Sequence, residues 1–309
     1  MTILQAPRSV VMIRPHAFRS NPETRHDNAF QATTAAADSP IKALGEFESA
    51  VELLRVAGVD VHVFDDFGDR DTPDSVFPNN WFSTHMGGHV ALYPMYAANR
   101  RRERRSDVID MLKQNFRVQD VIDYSGLEQD GLALEGTGAM VLDHISRVAY
   151  VARSNRADPV LLERFCTHFN YEPIAFDAAD EQGCAVYHTN VLMGIGTEYA
   201  LVCLEMITDP DRRRTVAERL EDSGRTVIDL TPAQIANFAG NAIELTGDNR
   251  ILALSARALE ALRAQQISII EQSACPLPLS IPTIETAGGS IRCMIAGIHL
   301  TPRPERSAS

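Results

Sequence analysis

The sequence predicts an α/β chain folded as a closed ring of five ββαβ repeats. Two observations carry the prediction: a helical stretch followed by a short apolar strand recurs five times, and a strand-turn-strand segment lies between each such strand and the next helix. A third closes the ring, because the last repeat starts a hairpin that only an apolar segment near the N-terminus can complete.

The elements follow in order. SVVMIRP, residues 9–15, reads as a strand awaiting its partner. Residues 41–57 place Leu44, Phe47, Val51 and Leu54 on one helical face, Gly58 stops the helix, and VDVHVF alternates like a strand. The same order recurs as ERRSDVIDMLKQNF then RVQDVIDY, DPVLLERFCTHFN then EPIAF, and DPDRRRTVAERLEDSG then RTVIDL. Asp158-Pro159 and Asp209-Pro210 are helix openings, since proline tolerates the first helical position and aspartate caps it. SARALEALRAQQISIIEQ reads as a fifth helix leading into LPLSIPTI. The hairpins are WFSTHMGGHVALYPM, GAMVLDHISRVAYVA, NVLMGIGTEYALVCL and NAIELTGDNRILALS, and CMIAGIHL at 293–300 begins the fifth. Joining the ends removes exposed sheet edges, which favours a ring over an open array.

With 309 residues, 45% hydrophobic and 23% charged, the composition is that of an ordinary globular chain, read as a single catalytic domain over 1–309. No apolar run is long enough to span a bilayer, and MTILQAPRSVVMIRP lacks the pattern of a secretory signal, so a cytoplasmic protein is expected. Five scattered cysteines form neither a disulfide framework nor a zinc pattern. A net charge of −12 argues against nucleic-acid and membrane-surface partners and for a small molecule. A homodimer is compatible with this reading. The basic stretch Arg100 to Arg105, interrupted by Glu103, reads as a solvated helix start, with one arginine available for a substrate carboxylate.

The repeat aligns the residues that can do chemistry. Asn80 precedes the first hairpin, Glu135 the second and His188 the third; Asn241 opens the fourth and Cys293 the fifth. In a ring these positions meet at one end of the axis. A cysteine attacks as thiolate, so it needs a lowered pKa or a neighbour that takes its proton, and His188 is the best-placed partner. Glu135 either orients that histidine or stabilises a positively charged substrate, and Gly131, Gly136 and Gly138 allow close backbone approach. Cys293 is therefore expected to be an accessible thiol, the other four cysteines to be packing residues. His85 and His89 have helical metal spacing, but Gly87 and Gly88 between them mark a hairpin turn. GIG at 194–196 lacks the rest of a dinucleotide fingerprint.

PDSVFPNNWFSTH, LEGTG, YHTN and GGSIRC, in the order Glu, His, Cys, resemble the guanidino-group-modifying, or pentein, superfamily. Its members include arginine deiminases, dimethylarginine dimethylaminohydrolases and amidinotransferases. MIRPHAF, DNAFQ and NRRRERR are similar to the branch of citrulline-utilisation hydrolases. The resemblance implies a five-bladed α/β propeller with the active site on its axis. It implies Cys293 as nucleophile, His188 as general acid and then base, and Glu135 as acidic partner. Asp74, Arg101 and Arg156 fall where dimethylaminohydrolases contact substrate, the two arginines at its amino-acid end. Where guanidine hydrolases carry acidic residues after Ser-Val-Phe, this chain has Asn79 and Asn80. A guanidinium is met best by carboxylates, whereas a neutral urea offers an acceptor and donors that an amide matches on both sides. The expected activity is therefore citrulline hydrolysis to ornithine, ammonia and carbon dioxide, with no metal or organic cofactor. The rivals are an arginine deiminase or dimethylaminohydrolase, and a catalytically silent amino-acid-binding module.

Overall fold

The computed structural model describes residues 4–32 and 39–304. The first three residues of the stretch read for a secretory signal lie outside them. The β structure is divided among five three-stranded sheets with one plan: an antiparallel hairpin whose second strand pairs in parallel with a third. Phe82–His85, His89–Leu92 and Asp120–Asp123 make one sheet; Met140–Asp143, Val148–Ala152 and Glu172–Phe176 the next. Met193–Ile195, Tyr199–Val202 and Thr226–Asp229 follow, then Ile243–Thr246, Arg250–Ser255 and Cys275–Leu279.

The remaining sheet joins the two ends of the chain. Ala296–Ile298 runs antiparallel to Ser9–Pro15, with Val10 opposite Gly297, and Ser9–Pro15 runs parallel to Asp60–Asp66. The incomplete C-terminal repeat is completed by the N-terminal strand. A parallel neighbour requires a crossover, and each sheet's second strand reaches its third through helix.

Local sequence explains these helices. Asp158 accepts from the backbone N–H groups of Val160 and Leu161, Pro159 supplies the first helical φ, and Pro159–Phe169 buries Leu161, Leu162, Phe165, Cys166 and Phe169. Each fully buried side chain of this size contributes roughly 1.5–3 kcal/mol. Asp209 caps Pro210–Asp222 in the same way through Asp211 and Arg212. Between residues 255 and 272 the structure has two short helices, Ala256–Ala261 and Ala264–Ile270, where the sequence pattern reads as one. The break falls at Leu262, which turns into extended backbone and is buried.

The sheets touch through their first strands: Ala296–Ile298 meets Phe82–His85, and Met193–Ile195 meets both Met140–Asp143 and Ile243–Thr246. The N-terminal segment adds a tie, as Gln5 donates to Leu142 O at 2.9 Å and Ile195 O at 3.3 Å. Arg225 meets Asp143 through two parallel bonds of 2.6 and 3.0 Å, with both side chains buried. Among the described residues no helix is long and apolar enough to cross a membrane.

Candidate active site

Short turns precede the hairpins and carry the chemically distinctive residues. Pro78–Asn80 ends in Asn80; Glu135 caps Gly136–Ala139; His188 caps Thr189–Leu192; Cys293 lies within Ile291–Met294. The first turn touches the second and the fourth, and the second touches the third. Such contact needs small residues. A Cβ on Gly138 would collide with the Asn80 side chain and come within 2.8 Å of His188 Nδ1.

Glu135 is fully buried yet well supplied with donors. Its Oε1 accepts from the Tyr96 backbone N–H at 3.0 Å, and its Oε2 from His188 Nε2 at 2.8 Å, Arg100 Nη1 at 3.4 Å and Arg156 Nη1 at 3.5 Å. Burial raises its pKa, but Arg156, the His188 hydrogen bond and Arg100 outweigh that and hold the carboxyl well below the usual range. An ionised Glu135 fixes the proton of neutral His188 on Nε2 and leaves Nδ1 as the free acceptor. Burial lowers the His188 pKa to about 4 against the opposing pull of Glu135, so near neutral pH the imidazole is a base.

Two arginines flank this pair. Burial disfavours the charge on Arg100, but Glu103, Glu135 and Asp74 outweigh it and raise its pKa. Its Nε and Nη2 donate to Glu103 at 2.8 and 3.0 Å. Arg156 donates from Nε and Nη2 to Asp27 at 3.0 and 2.5 Å, and its guanidinium lies 4.8 Å from the Tyr187 ring centroid. Asp74 Oδ2 accepts from Asn21 Nδ2 at 2.7 Å, while its buried Oδ1 has no partner among the described residues. Burial pushes the Asp74 carboxyl up against Arg100 and Asn21, and pushes Glu103 up to about 7.

Asn80 is oriented by the same arginine. With its oxygen accepting from Arg100 Nη1 at 3.2 Å and Nη2 at 3.0 Å, its nitrogen donates to Asn79 Oδ1 at 3.2 Å. The opposite orientation would set an N–H group against the guanidinium donors.

Cys293, His188, Asn80, Asp74, Arg100 and Arg156 line one pocket with Asn28, Phe77, Tyr187, Ala287 and Gly289. Its volume is about 20 Å³, room for about one water. Cys293 is 2% exposed, so the expectation of an accessible thiol is corrected: it faces only this small pocket, whose lining includes Asn28 and Gly289. Gly288 has φ +83, and a side chain there would collide with Asn28. The freely exposed cysteines are Cys184 and Cys275, read from sequence as packing residues; Cys166 and Cys203 are buried as expected.

Of the other expected contacts, Asn79 is buried behind Asn80 and Arg101 lies outside the pocket. Arg101 donates to Met95 O at 3.1 Å and Tyr96 O at 3.4 Å. The reason is local. Asn99–Glu103 is a 3-10 helix, in which positions three apart share a face, so Arg100 and Glu103 turn inward together and Arg101 and Arg102 face out. The sequence reading also missed Asp27 and Asn190, although both stand in the distinctive segments DNAFQ and YHTN. His85 and His89 end the two strands of a tight hairpin, where Gly87 and Gly88 have φ +91 and +95. Among the described residues no cluster of three or more His, Cys, Asp or Glu is arranged to hold a metal.

This is a mixed α/β protein of small sheets with a Cys, His and Glu constellation, and comparison with known proteins gives it a family. The model of N,N dimethylarginine dimethylhydrolase, eukaryotic, matches residues 14–300, and the chain belongs to that family, within the pentein superfamily of guanidino-group hydrolases acting on C–N bonds. No curated protein sequence matches it. Among solved structures, unliganded AgrE is 18% identical with a TM-score of 0.76 over 96% of this chain and 40% of that one. Apo ArgZ, an arginine dihydrolase from the ornithine-ammonia cycle in cyanobacteria, is 17% identical, with a TM-score of 0.73 over 93% of this chain and 40% of that chain. The chain thus spans about 40% of the length of those two proteins. A dimethylarginine dimethylaminohydrolase variant with an S-methyl-L-thiocitrulline adduct is 13% identical, with a TM-score of 0.61 over 94% of this chain and 99% of that one. At these identities the likeness is one of fold.

Proposed function

We propose that the chain is a cysteine-dependent hydrolase of a ureido amino acid, citrulline, working as a single catalytic domain in which the five sheets form the blades of a closed α/β propeller. The contacts between first strands, and the sheet that joins the two chain ends, support closure. One observation carries the substrate choice: Asn80, an amide and not a carboxylate, shares the pocket with His188 and Cys293. Glu135, the acidic partner of His188, has its oxygens engaged by His188, two arginines and a backbone N–H, and Asp74, which also lines the pocket, is left to the α-amino group. A neutral ureido group needs no counter-charge there.

In this reading the substrate carboxylate takes the place of Asp27 at Arg156, and Asp74 Oδ1 accepts from the α-amino group. His188 Nδ1 takes the Cys293 proton and Sγ adds to the ureido carbon. The imidazolium, held by Glu135, returns the proton to the departing ornithine nitrogen as the C–N bond breaks. His188 then takes a proton from water, whose oxygen attacks the S-carbamoyl carbon; carbamate leaves, the thiol is reprotonated, and carbamate decomposes to ammonia and carbon dioxide. The neutral resting state makes His188 a base first, reversing the order of roles implied by the family resemblance.

A second reading is an arginine dihydrolase. The arginine dihydrolase activity of ArgZ and the carboxylate of Asp74 in the pocket support it. Incubation with citrulline, arginine and dimethylarginine, with products identified by mass, separates the readings. Citrulline giving one ammonia per ornithine supports the first and arginine giving two ammonia per ornithine the second; turnover of none overturns both.

A further inference from the structure

The sulfur of Cys293 is held by groups that the reaction as written does not use. Asn190 Nδ2 and Asn241 Nδ2 each lie 3.3 Å from Sγ, and both asparagines are buried. They come from different repeats, one from the turn after His188 and one from the start of the fourth hairpin. The orientation of Asn241 is fixed by backbone: its Oδ1 accepts from Arg292 N at 3.1 Å and its Nδ2 also donates to Asn190 O at 3.0 Å. Its nitrogen therefore faces the sulfur at 3.3 Å, and the thiol donates to its Oδ1 over a longer 3.7 Å. Asn190 has no other side-chain partner among the described residues, and its buried Oδ1 makes no hydrogen bond. The Cys293 sulfur is thus the side-chain partner of the Asn190 amide among the described residues.

We propose that Asn190 and Asn241 are positioning residues that hold the Cys293 sulfur between two N–H donors and thereby favour the thiolate. The proposal rests on Cys293 being the nucleophile. Hydrogen bonds to the ionised form of a group stabilise it, and charge-assisted bonds are about twice as strong as neutral ones. The charged and titratable groups around the sulfur supply only part of this. His188 is neutral near pH 7; Arg100 and Arg156 are matched by Glu103, Glu135, Asp74 and Asp27; Tyr187 donates its hydroxyl to Gly288 O; and Arg292, which directs Nη1 to Ile295 O, is the cation whose charge also favours a Cys293 thiolate.

The test is a thiolate titration by ultraviolet absorbance, with the Cys293→Ser protein subtracted, in the wild type, Asn190→Ala, Asn190→Ser and Asn241→Ala. The Asn190→Ala protein is expected to show about a tenfold smaller thiolate fraction near neutral pH and a matching fall in kcat, with part of both restored by the hydroxyl of Asn190→Ser. Asn241→Ala also removes backbone ties, so Asn190 decides the matter if that variant does not fold. An unchanged thiolate curve in folded Asn190→Ala overturns the proposal, even if turnover falls. Retained turnover in Cys293→Ser overturns the nucleophile assignment instead.

Discussion

Replacing Asn80 by aspartate changes the charge of the reacting end with almost no change of shape. The new carboxylate would sit where the amide oxygen now accepts from Arg100 at 3.0 and 3.2 Å, so the arginine keeps a partner and the fold is expected to tolerate the change. A unit charge about 4 Å from a substrate guanidinium interacts with roughly 4 kcal/mol at an effective dielectric of about 20. Arg100 is bonded to that same carboxylate and offsets most of this. If about a quarter remains, near 1 kcal/mol, the ratio of arginine to citrulline recognition rises about fivefold. The contact with Asn79 Oδ1 changes from N–H donation to oxygen against oxygen, which Asn79 relieves by turning its Nδ2, without a hydrogen-bond partner among the described residues, towards the new carboxylate. The assay is kcat/KM for citrulline and the inhibition constant of arginine in both proteins at one pH. An unchanged ratio in a folded variant would refute the claim that Asn80 faces the reacting group.

Further consequences are open to measurement. Since burial holds His188 near a pKa of about 4 and its neutral form is the base, kcat/KM should stay level as pH falls through 6.5 and drop only towards 4; an acid limb at 6.5 would contradict this. Asp27→Asn removes the carboxylate that occupies Arg156 and should lower KM for the amino acid severalfold, with no gain for an analogue lacking the α-carboxylate. Asp143→Asn leaves the buried Arg225 charge without its counter-ion and should cost about 3–5 kcal/mol, read by urea unfolding. A loss below about 1 kcal/mol would mean that water or rearrangement satisfies the guanidinium.

The fold was legible because each repeat repeats its local chemistry. Asp-Pro helix openings, glycine stops and alternating hairpins mark the units, and the unpaired CMIAGIHL calls for a strand that only SVVMIRP can supply. Short range hid the split at Leu262, where the apolar pattern runs on through the break. In the site, Cys293, His188, Asn80, Asp74 and Arg156 could be gathered because repeat position or distinctive segments mark them. Arg100 could not be chosen over Arg101, because five arginines in six residues carry no phase until the 3-10 geometry sets one. Asn241 is marked by its repeat position, whereas Asp27 and Asn190 depend on contacts between segments more than 50 residues apart, which no local pattern encodes.

In the proposed reaction Cys293 carries the reacting carbon of a ureido amino acid. Acid-quenching the enzyme during citrulline turnover, followed by peptide mass analysis, tests it directly. A carbamoyl adduct is expected on the peptide containing Cys293 and on none containing Cys166, Cys184, Cys203 or Cys275, together with loss of turnover in Cys293→Ser. Continued ornithine release with the Cys293 peptide unmodified, and activity retained in Cys293→Ser, would contradict it.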